Sequence, residues 1–420
     1  MATVSSSRAA GGVRVTRRGS PPLEHRVLLT ATLILIAFGA VMVYSASSPL
    51  GVVNGDGLGT GEFVMYMLAA GIGLGAMRVT ERYGLRLLTP QVVKVLLGGS
   101  FVLLLAVLVP HVGVSVGGAR RWLGAGPIQF QPSELMKLAL ILYVARYVAD
   151  NPRRLQRGIK PALAPVAVIV GPACLLIYVE PDLGTAMVVS MTVATMLYVG
   201  GVPTRYLATV AGIAACGIIM LSLGSSYQRA RLTSFLHPSS CARTTCFQSR
   251  QGEISVGSGG LFGVGPGKGI EKDFYLPEAQ TDFILAVIGE ELGVAGIAAV
   301  VVLYGMIAYA GLRTARKAPT RHSKLVATGL TSLILCQGLL NIFVVLGIAP
   351  LTGVPLPFIS YAPSSLCVLL ASVGLLLNIA RPSARELRAV DRDAATDRDR
   401  GRRDSRARHP GDRGRRRAAG

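Results

Sequence analysis

Long apolar runs separated by short polar connections are the dominant feature of this sequence. Each run approaches the roughly 20 residues that an α-helix needs to cross the hydrocarbon core of a bilayer. Hydrophobic residues make up 51% of the chain and charged residues 15%, whereas soluble domains carry about 25% charged residues. The pattern predicts an all-α, polytopic membrane protein with about ten transmembrane helices. The predicted spans are Val27–Tyr44, Phe63–Met77, Val92–Val109, Glu134–Val148, Leu163–Val179, Thr185–Val199, Tyr206–Leu223, Phe283–Leu312, Leu325–Ile348 and Ser364–Ile379.

Lysine and arginine collect in every second connection between these spans, near residues 78–86, 146–160 and 313–324. Cytoplasmic loops of membrane proteins are enriched in lysine and arginine. The distribution therefore predicts that these connections, and both chain termini, are cytoplasmic.

The charge pattern also divides the chain. A transmembrane domain is predicted at 27–380, between a basic cytoplasmic tail at 1–26 and a disordered basic cytoplasmic tail at 381–420. The net charge of +21 lies mostly in these tails and in the basic connections. Because membrane orientation explains that charge, no nucleic-acid binding is predicted.

A polar segment at 224–280 separates the seventh and eighth predicted spans and is predicted to be a long extracellular loop. Its glycine-rich stretch, Gly257–Gly269, superficially resembles a phosphate-binding loop. No strand precedes it and the Lys-Ser/Thr ending is missing, so nucleotide binding is rejected. A flexible, close-packing loop at the membrane surface is predicted instead.

Cys241 and Cys246 also lie in this segment. In an oxidising exterior they would form a local disulfide, and the alternative is two free thiols. Both interpretations remain open. A zinc site is not predicted, because only His237 lies nearby.

Asp282 lies where the polar segment meets the eighth predicted span. Ionisable groups near membrane depth are costly to desolvate, so each is a candidate functional residue. The alternative is that Thr281 or Asp282 only caps the helix that begins here. Local chemistry favours the cap, and the rest of the sequence favours the functional interpretation.

Glu134 and Lys137 are three residues apart on a helix that begins after Pro132, so they share one face and can neutralise each other. One interpretation is a structural ion pair behind a capping Ser133. The other is a functional polar face at the outer end of a span, beside Arg121. Arginine suits an anionic ligand because its planar guanidinium group binds two phosphate oxygens at once.

Two further outward stretches carry charge. Glu180 and Asp182 flank a proline between the fifth and sixth spans. Three interpretations are open: the two acids form a turn and a helix cap, they hold a divalent cation, or they pair with arginines across a pocket. The two functional interpretations are slightly favoured, mainly for Asp182. Arg229 and Arg231 retain positive charge at the outer face, which indicates an anionic ligand there.

The connection Leu351–Ser365 is uncharged and rich in proline. Irregular backbone at membrane depth is tolerated only where protein covers it or a cavity requires it. This connection is therefore predicted to be re-entrant or cavity-lining, with Ser360 and Ser364 as candidate substrate contacts.

Together these stretches resemble the SEDS family (shape, elongation, division and sporulation). The resemblance covers nearly everything from the first to the last predicted span, and it is closer to the FtsW/SpoVE branch of the family than to RodA. The blocks that carry it are Gly118–Trp122 with Phe130–Lys137, Glu180–Ala186, Gly257–Gly263, Tyr275–Gly293 and Leu351–Ser365, together with Gln337, Asn341 and Gly347.

The resemblance implies a fold of about ten helices and an activity, the polymerisation of lipid II into glycan strands on the outer face of the cytoplasmic membrane. It also implies a class B penicillin-binding protein as the cross-linking partner. Asp282 matches the acid that is considered catalytic in the family. The residues implied to line the same outward cavity are Arg121, Gln131, Glu134, Lys137 and Asp182.

The chemistry of this reaction suits the residues. An acceptor hydroxyl must lose its proton as it attacks the anomeric carbon, and a positioned carboxylate can take that proton. Cationic side chains can offset the charge of the pyrophosphate leaving group. No cofactor is required, although a divalent cation, Mg²⁺ or Mn²⁺, is a candidate. The predicted substrate-binding residues are Arg121, Gln131, Glu134, Lys137, Asp182, Arg229, Arg231, Ser360 and Ser364.

Three positions depart from the family pattern. Gln280 stands where the family usually has histidine, so any proton-relay or orienting role of that imidazole is either absent or replaced by an amide hydrogen bond. Ala362-Pro363 replaces the usual Gly-Gly, and the stretch Pro238–Gln251 differs from the usual connection.

The expected setting is the bacterial cytoplasmic membrane at the division septum. The expected partners are lipid II, the transpeptidase, other division proteins and membrane lipids. Two alternative functions use the same cavity or surface without polymerisation: a lipid II flippase or other transporter, and a non-catalytic division scaffold.

Overall fold

The computed structural model is mostly helical, as predicted. Predicted features at Arg231 and Cys241, the side chain of Cys246 and most of both tails lie outside the residues that it describes. The structure describes residues 21–53, 60–116, 119–125, 128–156, 158–224, 229, 235, 245–270 and 279–381.

Eleven α-helices are present within the described part of the chain. Ten of them coincide with the predicted spans, and one lies inside the predicted extracellular loop. The helices are α1 Leu23–Val53, α2 Thr60–Tyr83, α3 Pro90–Leu108, α4 Pro132–Asp150, α5 Ile159–Val179, α6 Leu183–Val199, α7 Thr204–Gly224, α8 Thr245–Ser258, α9 Ile284–Lys317, α10 Arg321–Val345 and α11 Pro363–Ala380.

Six of the described helices, α1, α2, α3, α9, α10 and α11, are long and apolar enough to cross a membrane. Two shorter apolar stretches fall in α5 and α6. Large apolar side chains on the outer faces are exposed, for example Ile72 on α2 at 68% and Val95 on α3 at 74%. Such faces suit a lipid environment, and the chain is a multi-pass membrane protein. The count of ten spans and the position of the long loop stay predictions.

A small antiparallel sheet, which the pattern of apolar runs does not predict, interrupts the helices. Its strands are β1 Gly113–Val116, β2 Ala119–Ala125 and β3 Ile128–Phe130, in the order β1-β2-β3. The alternation Val-Ser-Val in β1 pairs with β2, where Val114 lies opposite Trp122. The sheet carries Arg121 on β2 and leads through β3 into α4.

The bundle is built around α10, in which most of the side chains are buried. It packs against α4, α6 and α9. On the other side of the bundle, α2 lies along α11, and the Thr80 hydroxyl donates to the Ala371 carbonyl at 2.9 Å. The interior is therefore a close-packed set of helices whose few polar contacts are specific.

Two buried carboxylates lie at the end of the bundle predicted to be cytoplasmic. Glu24 on α1 pairs with Arg313 and Lys317 on α9, each at 2.7 Å. α1 begins at Leu23, four residues before the predicted span, and Glu24 lies in its first turn. Glu81 on α2 gathers a second set of partners, which are Arg78 at 2.8 Å, His25 Nε2 at 3.0 Å and Arg381.

The eighth predicted span is not one continuous helix. α9 breaks at Gly293, where φ is 66° and ψ is −161°. In an uninterrupted helix the N–H groups of Val294 and Ala295 would donate to the carbonyls of Glu290 and Glu291. The break separates these four groups, and each requires another partner if it is buried.

The glycine-rich stretch supplies those partners. Its segment 260–265 lies in the gap and exchanges four backbone hydrogen bonds with α9. The helix is thus completed by a second piece of chain rather than by its own next turn. The bonds run from Val294 N–H to Gly260 O (3.0 Å), Ala295 N–H to Leu261 O (3.1 Å), Val264 N–H to Glu290 O (2.9 Å) and Gly265 N–H to Glu291 O (3.1 Å).

This close approach explains the glycines. A Cβ on Gly259 would overlap the carbonyl oxygen of Gly289, and a Cβ on Gly263 would overlap that of Glu291. The carboxylate of Glu290 also accepts hydrogen bonds from the Ser255 hydroxyl and the Ile270 N–H. The predicted close packing is confirmed, and its purpose is to close the break in α9.

We expect Gly259→Ala to lower the free energy of unfolding by about 2–4 kcal/mol, because the added methyl group separates the segment from α9. Gly257→Ala on α8 is the matched control, since a Cβ added there would meet no atom within 4 Å. Thermal unfolding of the purified chain in detergent measures both. Equal melting temperatures for the two variants would contradict the packing argument.

Candidate functional site

The connection between α10 and α11 is the irregular segment at the centre of the candidate site. Its backbone carbonyls accept hydrogen bonds from side chains of α10. Gln337 Nε2 donates to Pro355 O at 3.1 Å, and Asn341 Nδ2 donates to Val354 O at 2.8 Å. Gln337 and Asn341 are four residues apart and share one face of α10. That face holds the segment in place.

Two tyrosines hold the next part of the same segment. The Tyr304 hydroxyl on α9 donates to Pro357 O at 2.6 Å, and the Tyr66 hydroxyl on α2 donates to Phe358 O at 2.6 Å. Both tyrosines are buried. These contacts support a re-entrant segment whose backbone is satisfied by protein, as predicted for irregular backbone at membrane depth.

Asp282 lies in the turn before α9, next to this segment. Its carbonyl oxygen accepts a hydrogen bond at 2.8 Å from Asn341, the same amide that holds Val354. The residue is half-buried. The N-cap position of α9 is Phe283, which makes no side-chain cap. The alternative that Thr281 or Asp282 only caps this helix stays a prediction, since both residues lie within three positions of its start.

Gln280 ties the same turn to two other elements. Its side-chain amide Nε2 donates to Glu62 Oε1 on α2 at 3.3 Å, so an amide hydrogen bond is present, as one of the two alternatives predicted. The backbone carbonyl oxygen of Gln280 accepts a hydrogen bond from the Tyr361 N–H at 2.9 Å. Residues 280–282 are therefore held by α2, by α10 and by the connection before α11.

The predicted ion pair on α4 is confirmed and is completely buried. Lys137 Nζ lies 2.8 Å from Glu134 Oε1 and 3.0 Å from Gln337 Oε1. Glu134 is 1% exposed and Lys137 is 2% exposed. Gln337 thus joins the ion pair to the irregular segment, and Asn341 one turn later joins that segment to Asp282.

Arg121 and the turn at 180–182 form the other side of the site. The Arg121 guanidinium donates to the backbone carbonyls of Glu180, at 3.1 Å, and of Pro181. Arginine pairing was expected to involve carboxylates, and the hydrogen bonds go to carbonyl oxygens instead. Carbonyl partners orient the guanidinium without cancelling its charge.

Asp182 caps α6, as one of the alternatives predicted. Its Oδ1 accepts from Thr185 N–H at 3.1 Å, and its Oδ2 accepts from Gln131 Nε2 at 3.1 Å. Gln131 stands immediately before α4. The structure thus brings Arg121, Gln131 and Asp182 together around the 180–182 turn.

The remaining predicted residues are less central. The Ser360 hydroxyl is buried and accepts from Leu356 N–H at 2.8 Å, so it stabilises the irregular segment. Ser364 is half-buried in the first turn of α11. Arg229 is exposed and is flanked by residues outside the described ranges, and Arg231 is itself outside them.

Among the residues that the structure describes, buried polar atoms without a hydrogen-bond partner are concentrated on the elements of this site. Buried polar groups in folded proteins are nearly always partnered, so such a concentration indicates a place that binds water or a polar ligand. These atoms are Ser133 Oγ, Glu134 Oε2, Glu180 Oε1 and Oε2, Gln280 Oε1, Asn341 Oδ1, Thr352 Oγ1 and Ser365 Oγ.

Sequence reasoning did not assign roles to Gln337, Asn341, Tyr66 and Tyr304, although they organise the site. The available signal was the presence of two amides four residues apart inside an apolar run. The described residues contain no group of three or more His, Cys, Asp or Glu side chains that could hold a metal ion. The divalent cation therefore stays a prediction.

The fold and the site together define a polytopic membrane protein with a polar, partly buried centre that contains an acid on a helix-start turn. The family model described as cell cycle protein, named for FtsW, RodA and SpoVE, matches residues 25–385. The chain belongs to this family.

Two curated relatives illustrate the similarity. The chain is 39% identical over 377 residues to stage V sporulation protein E of Bacillus subtilis, covering 88% of this chain and 99% of the relative. It is 37% identical over 359 residues to the probable peptidoglycan glycosyltransferase FtsW of Geobacter sulfurreducens, covering 84% and 94%.

Solved structures also match over most of the chain. A chain of a peptidoglycan synthase complex, reported for its coordination of polymerization and crosslinking, aligns with a TM-score of 0.69 and 29% identity, covering 84% of this chain and 96% of that one. The rod shape determining protein RodA of Thermus thermophilus aligns with a TM-score of 0.60 and 29% identity, covering 84% and 95%.

We expect Lys137→Met to destabilise the chain by about 3–5 kcal/mol, because it leaves the carboxylate of Glu134 buried without its partner. Adding Glu134→Gln should recover most of this loss, since the remaining groups are uncharged. Melting temperatures of the single and double variants in detergent measure the effect. A double variant no more stable than Lys137→Met would show that the buried charge is not the cause.

Proposed function

We propose that this protein is a peptidoglycan glycosyltransferase that polymerises lipid II into glycan strands at the outer face of the cytoplasmic membrane during cell division. The observation that carries the proposal is the position of Asp282, which Asn341 joins to the irregular segment beside the buried Glu134–Lys137 pair. Relatives of the chain are named as probable peptidoglycan glycosyltransferases.

Asp282 acts as the general base. It takes the proton of the acceptor hydroxyl while the hydroxyl oxygen forms a bond to the anomeric carbon of the donor sugar. The bond from that carbon to the lipid pyrophosphate breaks, and the pyrophosphate leaves with the bonding electrons. The hydrogen bond from Asn341 to the Asp282 carbonyl fixes the turn and thereby limits the positions of the carboxylate.

Arg121 and Lys137 have different proposed roles. Arg121 keeps its positive charge because its hydrogen-bond partners are neutral carbonyls, so it can offset the charge that develops on the pyrophosphate. Lys137 is neutralised by Glu134 and supplies oriented N–H donors rather than net charge. The roles of Gln131, Asp182, Ser360 and Ser364 as substrate contacts remain part of the proposal.

A class B penicillin-binding protein is the proposed partner that cross-links the strands. A chain similar to this one belongs to a solved peptidoglycan synthase complex, which supports that assignment. Both termini are proposed to be cytoplasmic and the protein to act at the septum with other division proteins. Mg²⁺ or Mn²⁺ remains the candidate cation, and polymerisation with and without a chelator tests it.

We expect Asp282→Asn to reduce polymerisation of lipid II by about 100-fold or more, because the general base is lost. The assay uses the purified full chain with its transpeptidase partner and lipid II. Asp150→Asn is the matched control, since Asp150 is an exposed carboxylate at the other end of α4. Equal product from the two variants would overturn the catalytic role of Asp282. Translocation of lipid II without polymer would favour the flippase alternative.

Orientation in the membrane has its own test. We expect a cysteine at exposed Lys324, just inside the start of α10, to react with an impermeant thiol reagent only in opened cells. A cysteine at Ser239 in the predicted extracellular loop should react in intact cells. Labelling is compared with the parent chain, which has six cysteines of its own. The reverse pattern would overturn the orientation.

A further inference from the structure

Glu180 is an acid of the site, and its carboxylate has no hydrogen-bond partner among the described residues. It is 0% exposed, and both oxygens are buried without a partner. Its own backbone carbonyl is held by Arg121 at 3.1 Å. Asp182 and Glu134 differ, because Asp182 accepts from two donors and Glu134 accepts from Lys137. Glu180 therefore requires a separate explanation.

An ionised carboxylate in this position would be very costly. A buried charge normally neutralises itself by binding or losing a proton when nothing else compensates it. Among the described residues, the charged groups that act on Glu180 are Asp182 in its own turn and Arg121 on β2. Burial raises the pKa of Glu180 to about 8, the charge of Asp182 adds to this effect, and Arg121 opposes it.

We propose that Glu180 carries a proton at neutral pH and stands beside Arg121 as an uncharged acid, and that loss of this proton weakens binding of the anionic substrate. The second half of this proposal rests on the proposed function. With Glu180 neutral, the charges of Arg121 and Asp182 at this turn cancel. With Glu180 ionised, the three groups together carry one net negative charge.

The direction in which pH changes substrate binding follows from these charges. Below about pH 8 the carboxyl is neutral and a pyrophosphate approaching Arg121 meets no extra negative charge. Above about pH 8 it is ionised and repels the pyrophosphate. Glu180 is therefore a positioning residue that preserves the charge of Arg121, and it does not itself touch the reacting atoms.

The protonation state of Glu180 can be tested without substrate. Infrared difference spectra of the full chain with its partner, titrated from about pH 6.5 to about pH 9.5, should show one carboxylic acid C=O band that disappears with a midpoint near pH 8. The band should be absent from Glu180→Gln. In Asp182→Asn the midpoint should fall, because a neighbouring negative charge is removed while the helix cap is retained. A band that persists in Glu180→Gln, or a midpoint unmoved in Asp182→Asn, would overturn the protonated state.

The effect on binding is tested by lipid II polymerisation over the same pH range. The KM of the parent chain should rise by about tenfold above the transition, with a smaller change in kcat, because the added charge opposes binding. Glu180→Gln should lack this rise. An equal rise in both chains would overturn the role in binding. If neither the parent chain nor the variant polymerises lipid II at any pH, the proposed function fails. The infrared titration still shows whether Glu180 is protonated at neutral pH.

Discussion

Backbone groups that leave a helix inside a bilayer must find partners in the protein, because the lipid offers none. In the described part of the chain, two such places lie beside the candidate site, the break at Gly293 and the segment at 354–358. The first is closed by backbone from 260–265, and the second by side chains of α2, α9 and α10. Both places adjoin the short first part of α9, which follows Asp282. An acid is thereby held on irregular backbone inside an otherwise regular bundle.

The same requirement for compensation applies to the buried charged and acidic groups of the candidate site, and each is met in a different way. Glu134 has a lysine, Arg121 has carbonyl dipoles, Asp182 has N–H donors and Glu180 is assigned a proton. No two of these solutions are interchangeable. The result is a site rich in hydrogen-bonding groups with little net charge, which suits a bulky polar headgroup with an anionic linkage.

Much of this arrangement was visible in the sequence. Apolar runs placed both ends of ten helices within six residues, except the C-terminal end of α1, which lies nine residues beyond its predicted end. A three-residue spacing predicted the Glu134–Lys137 pair. The break at Gly293 was missed because a single glycine in an apolar run does not reveal which distant segment fills the gap. The sheet that carries Arg121 was missed because its strands are short. The carbonyl partners of Arg121 were missed because backbone acceptors leave no signature in side-chain identity.

The contacts around Asp282 differ greatly in how far they reach along the chain. The contact between Ser255 and Ala286 spans 31 residues, whereas the contact between Tyr66 and Phe358 spans 292. Contacts between neighbouring stretches form early, and those between distant ones form late. During synthesis the break in α9 can close as soon as that helix is made. The irregular segment at 354–358 lies in the connection before the last described helix, so the site is completed only when nearly all of the described chain has been made.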